Sequence, residues 1–151
     1  MAITRMKTNS ILAIALLVAA LSSCKSDVCD TPFGEGGVFD LSLPSFSPLI
    51  PVGGAMVIHY DNYGFEVGHR GIFVRHATLY EFVAFDCTCP KDHDIALQPA
   101  DGWDGAVLEC PACGSKFETE YGNPLDGAET SCPLYPYTAH YDGGYVLEIY
   151  N

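Results

Sequence analysis

Two short segments carry the residue types most able to do chemistry. The first reads Asp86-Cys87-Thr88-Cys89-Pro90, and the second Glu109-Cys110-Pro111-Ala112-Cys113-Gly114-Ser115-Lys116-Phe117. Each offers two closely spaced thiols. Four thiolates from two loops are what a tetrahedral zinc ion or an iron–sulfur cluster requires. The glycine after Cys113 permits a tight turn whose N–H groups face sulfur and stabilise its charge. The competing chemistry is oxidation, to local disulfides or a structural cross-link. A disulfide between residues as close as Cys87 and Cys89 is strained. Metal or cluster ligation is therefore the better reading of Cys87, Cys89, Cys110 and Cys113.

The chain holds seven cysteines, and Cys24 has a different context. Arg5 and Lys7 precede an apolar run at residues 11–21, followed by Ser22, Ser23 and Cys24. A charged start, a short apolar stretch and small residues form a secretory signal peptide, too short for a membrane span. Leu21-Ser22-Ser23-Cys24 resembles a bacterial lipobox, which implies cleavage before Cys24 and lipidation of its thiol. Acyl chains would hold an otherwise soluble domain on a membrane. The expected organisation is a leader at 1–23, a polar, Gly-rich tether at 24–37 and one domain at 38–151. The expected location is the bacterial cell envelope, lipid-anchored and extracytoplasmic, where spare thiols tend to oxidise. Cys29 and Cys132 are then a possible disulfide pinning the tether, or two unrelated thiols.

At 151 residues and 48% hydrophobic, the chain supports one small folded domain and is too apolar to be disordered. Seven basic residues face 19 acidic ones, a formal charge of −12, and loss of Arg5 and Lys7 with the leader makes it −14. That balance argues against nucleic acid or an anionic membrane face as a partner, and favours a protein with a basic docking patch or no specific partner. There is no Ser-His-Asp logic, no HExxH and no phosphate-binding glycine loop, so no small-molecule substrate is evident. His93, between Asp92 and Asp94, reads as an exposed loop residue rather than a fifth ligand. His59, His69, His76 and His140 show no ligand spacing. Trp103 reads as a hairpin tip, and the tyrosines of 135–150 as strand packing.

The elements that must position the thiols are short strands. Alternation and β-branched or aromatic content predict strands at 38–43, 56–60, 106–108, 135–139 and 145–150. Residues 72–76 and 79–85 read as a hairpin joined at Ala77-Thr78, and Asp142-Gly143-Gly144 as a tight turn. Pro44, Pro48 and Pro51 predict an extended loop. No helical periodicity follows the leader. The fold class is all-β, a small antiparallel sandwich or partial barrel.

With these residues in view, the stretch from about Val38 to Ile149 resembles a Rieske-type domain. The match is carried by the loop Cys110 to Phe117, by Gly71-Ile72-Phe73-Val74-Arg75 and the strand before Cys87, and by Gly122, Gly127, Pro133-Leu134 and Tyr137. The resemblance implies a small, rubredoxin-like cluster-binding subdomain with one pair of ligands, a cysteine and a histidine in the family, in each of two loops. It implies a [2Fe-2S] cofactor on Cys87, Cys89, Cys110 and Cys113, electron transfer and a redox protein partner. Two departures stand out. Cys89 and Cys113 occupy positions where the family has imidazoles. Asp92 and Ala112 stand where many members carry an extra disulfide. A shifted alignment gives the imidazole role to Lys91 and leaves three thiols; the four-thiol register is preferred because an ammonium does not coordinate easily. Four thiolates imply a low-potential cluster, nearer about −400 mV than the roughly −150 to +300 mV of His-ligated centres. The alternative is a structural lipoprotein or binding module of the same fold whose four thiols hold zinc or form disulfides, since Cys-Pro-x-Cys-Gly is also the knuckle of zinc ribbons and rubredoxins.

Overall fold

The computed structural model describes residues 28–30, 37–102 and 104–151. Residues 1–23, where a leader is expected, Cys24 and Trp103 lie outside the described residues. Among the described residues nine strands form: β1 (Val38–Ser42), β2 (Ala55–Ile58), β3 (Ile72–Thr78), β4 (Glu81–Asp86), β5 (Gln98–Pro99), β6 (Val107–Glu109), β7 (Lys116–Glu118), β8 (Pro136–Tyr141) and β9 (Val146–Tyr150). The fold is all-β. Six strands make one antiparallel sheet in the order β1-β9-β8-β4-β3-β2, and β5-β6-β7 make a second, smaller one.

The central strands explain how the two sheets meet. Ile72-Phe73-Val74 and Phe82-Val83-Ala84-Phe85 are almost continuously apolar, as expected of strands covered on both faces. Side chains alternate across a strand, so each face gets its own set. Ile72, Val74, Phe82 and Ala84 join Leu41, Leu49, Leu147 and Ile149 in one core. Phe73 and Phe85 point the other way, into a second core with Leu97, Leu108, Phe117 and Leu134. Cys87, Cys89 and Cys110 belong to that second core. The small sheet is thus held on the large one by the apolar layer that also surrounds the sulfurs.

Several boundaries differ from the sequence expectation. The β3–β4 connection is Leu79-Tyr80, not Ala77-Thr78. Pairing shifts register between His76 and Thr78, so the strand runs on and the two exposed apolar residues form the turn. Thr78 Oγ1 donates to the Glu81 carboxylate at 2.9 Å across it. The proline loop is not simply extended: Ser47–Leu49 makes one 3-10 turn with Pro48 near its start, where a missing N–H leaves no bond unmade. Buried His76 fastens it, its Nδ1 3.0 Å from the Leu49 carbonyl and its ring stacked on Phe82. Strands β5 and β7 were not anticipated. Gln98–Pro99 contains a proline and Lys116–Glu118 a single apolar residue between two charges, so neither carries a strand signal of its own.

Candidate metal centre

The first thiol loop begins where β4 ends. Cys87 N–H donates to the Gly71 carbonyl at 2.9 Å, and its own carbonyl accepts Leu97 N–H at 2.6 Å. Cys89 N–H donates to Ile95 O at 3.0 Å, closing a small hairpin over residues 88–96. Asp86 organises the entry. Fully buried, its carboxylate accepts Thr88 N–H at 2.8 Å, Thr88 O–H, His69 N–H at 2.6 Å and Tyr137 O–H at 2.9 Å. A buried carboxylate needs such donors, and here they tie β4, β8, the 59–71 loop and the thiol loop into one unit. Gly68, at φ +68, takes part by absence: a Cβ there would sit 2.7 Å from Asp86 Oδ2.

The second loop joins β6 to β7. Cys110 N–H donates to Ser115 O and Gly114 N–H to Cys110 O, both at 2.9 Å. Gly114 sits at φ +72, the left-handed region that lets the chain reverse at once. Phe117, fully buried opposite Leu108, anchors the loop's exit in the second core.

The two loops bring Cys89, Cys110 and Cys113 together, their sulfurs all within 4.8 Å of one another. Cys89 and Cys113 Sγ are 3.9 Å apart. A tetrahedral ion with metal–sulfur bonds of ~2.3 Å requires sulfur–sulfur edges of ~3.8 Å. Cys87 is fully buried in the same core but lies outside that set of three. The three clustered thiols are those of the shifted alignment. Lys91, its fourth position, instead forms an ion pair with Glu129. All four cysteines are thiols, with no local disulfide among them.

The electrostatics differ from thiol to thiol. Burial pushes Cys87 far up, and the neighbouring Asp86 charge adds to this. Burial raises Cys89 to about 12, against the opposing effect of N–H groups from Asp92 and Lys91. Cys113 is the only half-exposed thiol of the four. Burial raises it too, but the Ser115 hydroxyl and N–H and the two nearby sulfurs outweigh that and bring it below 9.0. Ser115 Oγ accepts Cys113 S–H at 3.2 Å and Glu129 N–H at 2.9 Å, and its own proton can turn to sulfur once Cys113 is a thiolate. Sulfur donors, N–H groups aimed at them and an apolar surround form a set that suits a thiolate-bound metal.

Ser115, Asp86 and the 129–135 segment supplement the sequence-derived site. Asp-x-Thr is the one signal that could have exposed Asp86: aspartate commonly accepts the N–H two residues on. Around the first loop, exposed His93 contacts Tyr135 O–H through Nε2 at 3.1 Å, and Tyr135 O–H also donates to Asp30 O at 3.0 Å. Cys29 and Cys132 are joined as a disulfide. Among the described residues, no helix is long and apolar enough to cross a membrane.

No family profile and no curated protein matches the chain. Solved structures do overlap with it. A chain from the complex of reduced oxygenase and oxidized ferredoxin in carbazole 1,9a-dioxygenase aligns at 20% identity and TM-score 0.46, covering 76% of this chain and 92% of that one. The ferredoxin of carbazole 1,9a-dioxygenase from Nocardioides aromaticivorans IC177 aligns at 15% identity and 0.44, covering 78% and 98%. A chain named as an NADH-dependent nitrite reductase small subunit, from Mycobacterium tuberculosis, aligns at 12% and 0.42, covering 78% and 97%. Likeness at this level leaves function to the chain's own residues.

Proposed function

We propose that this protein is an iron–sulfur electron carrier, held outside the cytoplasm by a lipid on Cys24, with Cys87, Cys89, Cys110 and Cys113 as ligands of a [2Fe-2S] cluster. The observation that carries the reading is the convergence of three thiols from two separate loops within 4.8 Å, with the fourth buried in the same core. The donor set fits such a group. Cys89 and Cys113, 3.9 Å apart, have the spacing of two ligands on one iron, which leaves Cys87 and Cys110 for the other. The bound group would supply reversible one-electron exchange. The chain's own residues hold the thiols in place, exclude water through Phe73, Phe85, Leu108 and Phe117, and leave one edge accessible at Cys113. The acidic balance suits a redox partner with a basic surface.

A second reading is a single zinc or iron ion. One observation favours it, namely that Cys87 stands outside the close set. The deciding measurement is metal analysis with visible spectroscopy on the mature domain, purified anaerobically without the lipid cysteine. About two iron per chain, acid-labile sulfide and a colour that bleaches with dithionite are expected. Cys87→Ser then abolishes the colour. One zinc per chain, retained in Cys87→Ser, would establish the mononuclear site instead.

A further inference from the structure

The Cys29–Cys132 disulfide does more than close a loop, because of where Cys132 sits. Three residues before it, Glu129 donates its N–H to Ser115, the serine against Cys113 sulfur, and pairs with Lys91 of the first thiol loop. Three residues after it, Tyr135 reaches His93 of that loop and Asp30 of the N-terminal segment. Val28 lines a recess of about 250 Å³ with Pro90, Lys91 and His93. The N-terminal segment is therefore fastened at the thiol end of the domain.

Chain length turns this into a constraint. Cys24 and Cys29 are five residues apart, a reach of at most ~18 Å. Without the disulfide the tether runs to β1, fourteen residues from Cys24, and spans up to ~50 Å. A domain of this size is roughly 30 Å across. The far pole is marked by the turn at residues 142–145, since β8 starts beside Phe85 at the thiol end and runs away from it. The short tether cannot let that pole turn to the bilayer; the long one can.

We propose that the disulfide is an orienting device. It presents the thiol end of the domain to the membrane that holds Cys24, and so fits the centre to an integral membrane redox partner rather than to a freely diffusing protein. The tip of the second loop, with Pro111, Ala112 and Gly114 exposed, carries no large apolar group to enter lipid. The domain is strongly acidic and is repelled by anionic headgroups. The partner must accordingly rise to headgroup level, with basic residues there. Exchange of one electron oxidises one protein and reduces the other, and moves no atoms. The inference rests on lipidation of Cys24.

The test uses the full-length, processed protein in lipid vesicles. A fluorophore is placed as a non-natural amino acid at Asp94, beside the thiol loop, or at Tyr145, at the far pole. Energy transfer to acceptor-labelled headgroups is expected to be at least twofold greater from position 94. Cys29→Ser should bring the ratio close to one. Ten Gly/Ser residues inserted after Ser26 should do the same with the disulfide intact, which separates orientation from folding. A ratio near one in the parent protein, or one unmoved by the insertion, overturns the proposal while the anchor stands. An intact mass lacking the acyl groups overturns both. In native membranes, a photo-crosslinker at position 94 should capture an integral membrane protein and one at 145 should not; capture of soluble proteins alone from position 94 overturns the partner class.

Discussion

Ser115 shows how one hydroxyl serves two purposes. It is fully buried, accepts Glu129 N–H and Cys113 S–H, and can give its own proton to the sulfur when Cys113 is a thiolate. Hydrogen bonds to sulfur favour the more negative, reduced state of a cluster and so raise its potential. Net hydrogen bonds are worth about 1 kcal/mol, or about 40 mV for one electron. Ser115→Ala should therefore lower the midpoint by about 40 mV in a redox titration. It should also lose about 1–2 kcal/mol of stability, because Glu129 N–H is left without its acceptor. A midpoint unchanged within error would mean that the hydroxyl does not act on sulfur.

At the scale of elements, two carboxylates set the loop geometry. Asp86 gathers donors from three other segments at the end of β4. Asp86→Asn replaces an acceptor with an NH2 group that faces donors already in place. We expect a loss of about 2–4 kcal/mol in denaturant unfolding, together with reduced metal content, since the first thiol loop loses its fixed entry. Glu118, at the end of β7, accepts the N–H groups of Glu120, Tyr121 and Asn123 at 2.7–3.0 Å. Partial burial alone would raise its pKa, but these bonds prevail and hold it below 4.5. A depressed folded pKa means stability that is present above about pH 4.5 and lost as the pH falls through the lower, folded value. Glu118→Gln should be less stable than the parent by about 1–2 kcal/mol at pH 7. The gap should close in acid, as the parent's own carboxylate is protonated. A pH-independent gap would place the effect elsewhere.

For the molecule as a whole, the disulfide links positions 103 residues apart. Closing a loop of that length restricts the unfolded chain by an amount worth about 5 kcal/mol, with measured values for native bridges of about 2–5. A Cys29→Ser, Cys132→Ser variant should unfold earlier in guanidinium by that margin with an unchanged metal content, because none of the four clustered or core thiols is touched. Loss of metal in this variant would show instead that the N-terminal segment completes the centre. The two cores share β2, β3 and β4, so the centre and the large sheet should unfold as one cooperative unit.

Composition and local spacing were enough to mark the thiol segments, because Cys-x-Cys and Cys-Pro-x-Cys-Gly are short-range chemistry that no other part of the chain can alter. They were also enough for the all-β class: short runs rich in β-branched and aromatic residues, such as Ile72-Phe73-Val74, are set between glycines and prolines and can be read directly. Gln98–Pro99 and Lys116–Glu118 hold almost no β-branched or aromatic content, and so β5 and β7 emerged only from pairing with β6. The Leu79-Tyr80 turn was likewise hidden, since exposure in a turn depends on register and not on residue type. Which thiols meet is a matter of how two loops, more than twenty residues apart, are set by separate sheets; spacing within a loop says nothing of it. Folding chose Cys89, Cys110 and Cys113 as the close set and gave Asp86 and Ser115 their roles through partners distant in sequence. Local chemistry is written along the chain, whereas distances between loops are fixed only when the apolar faces of β3 and β4 are buried on both sides.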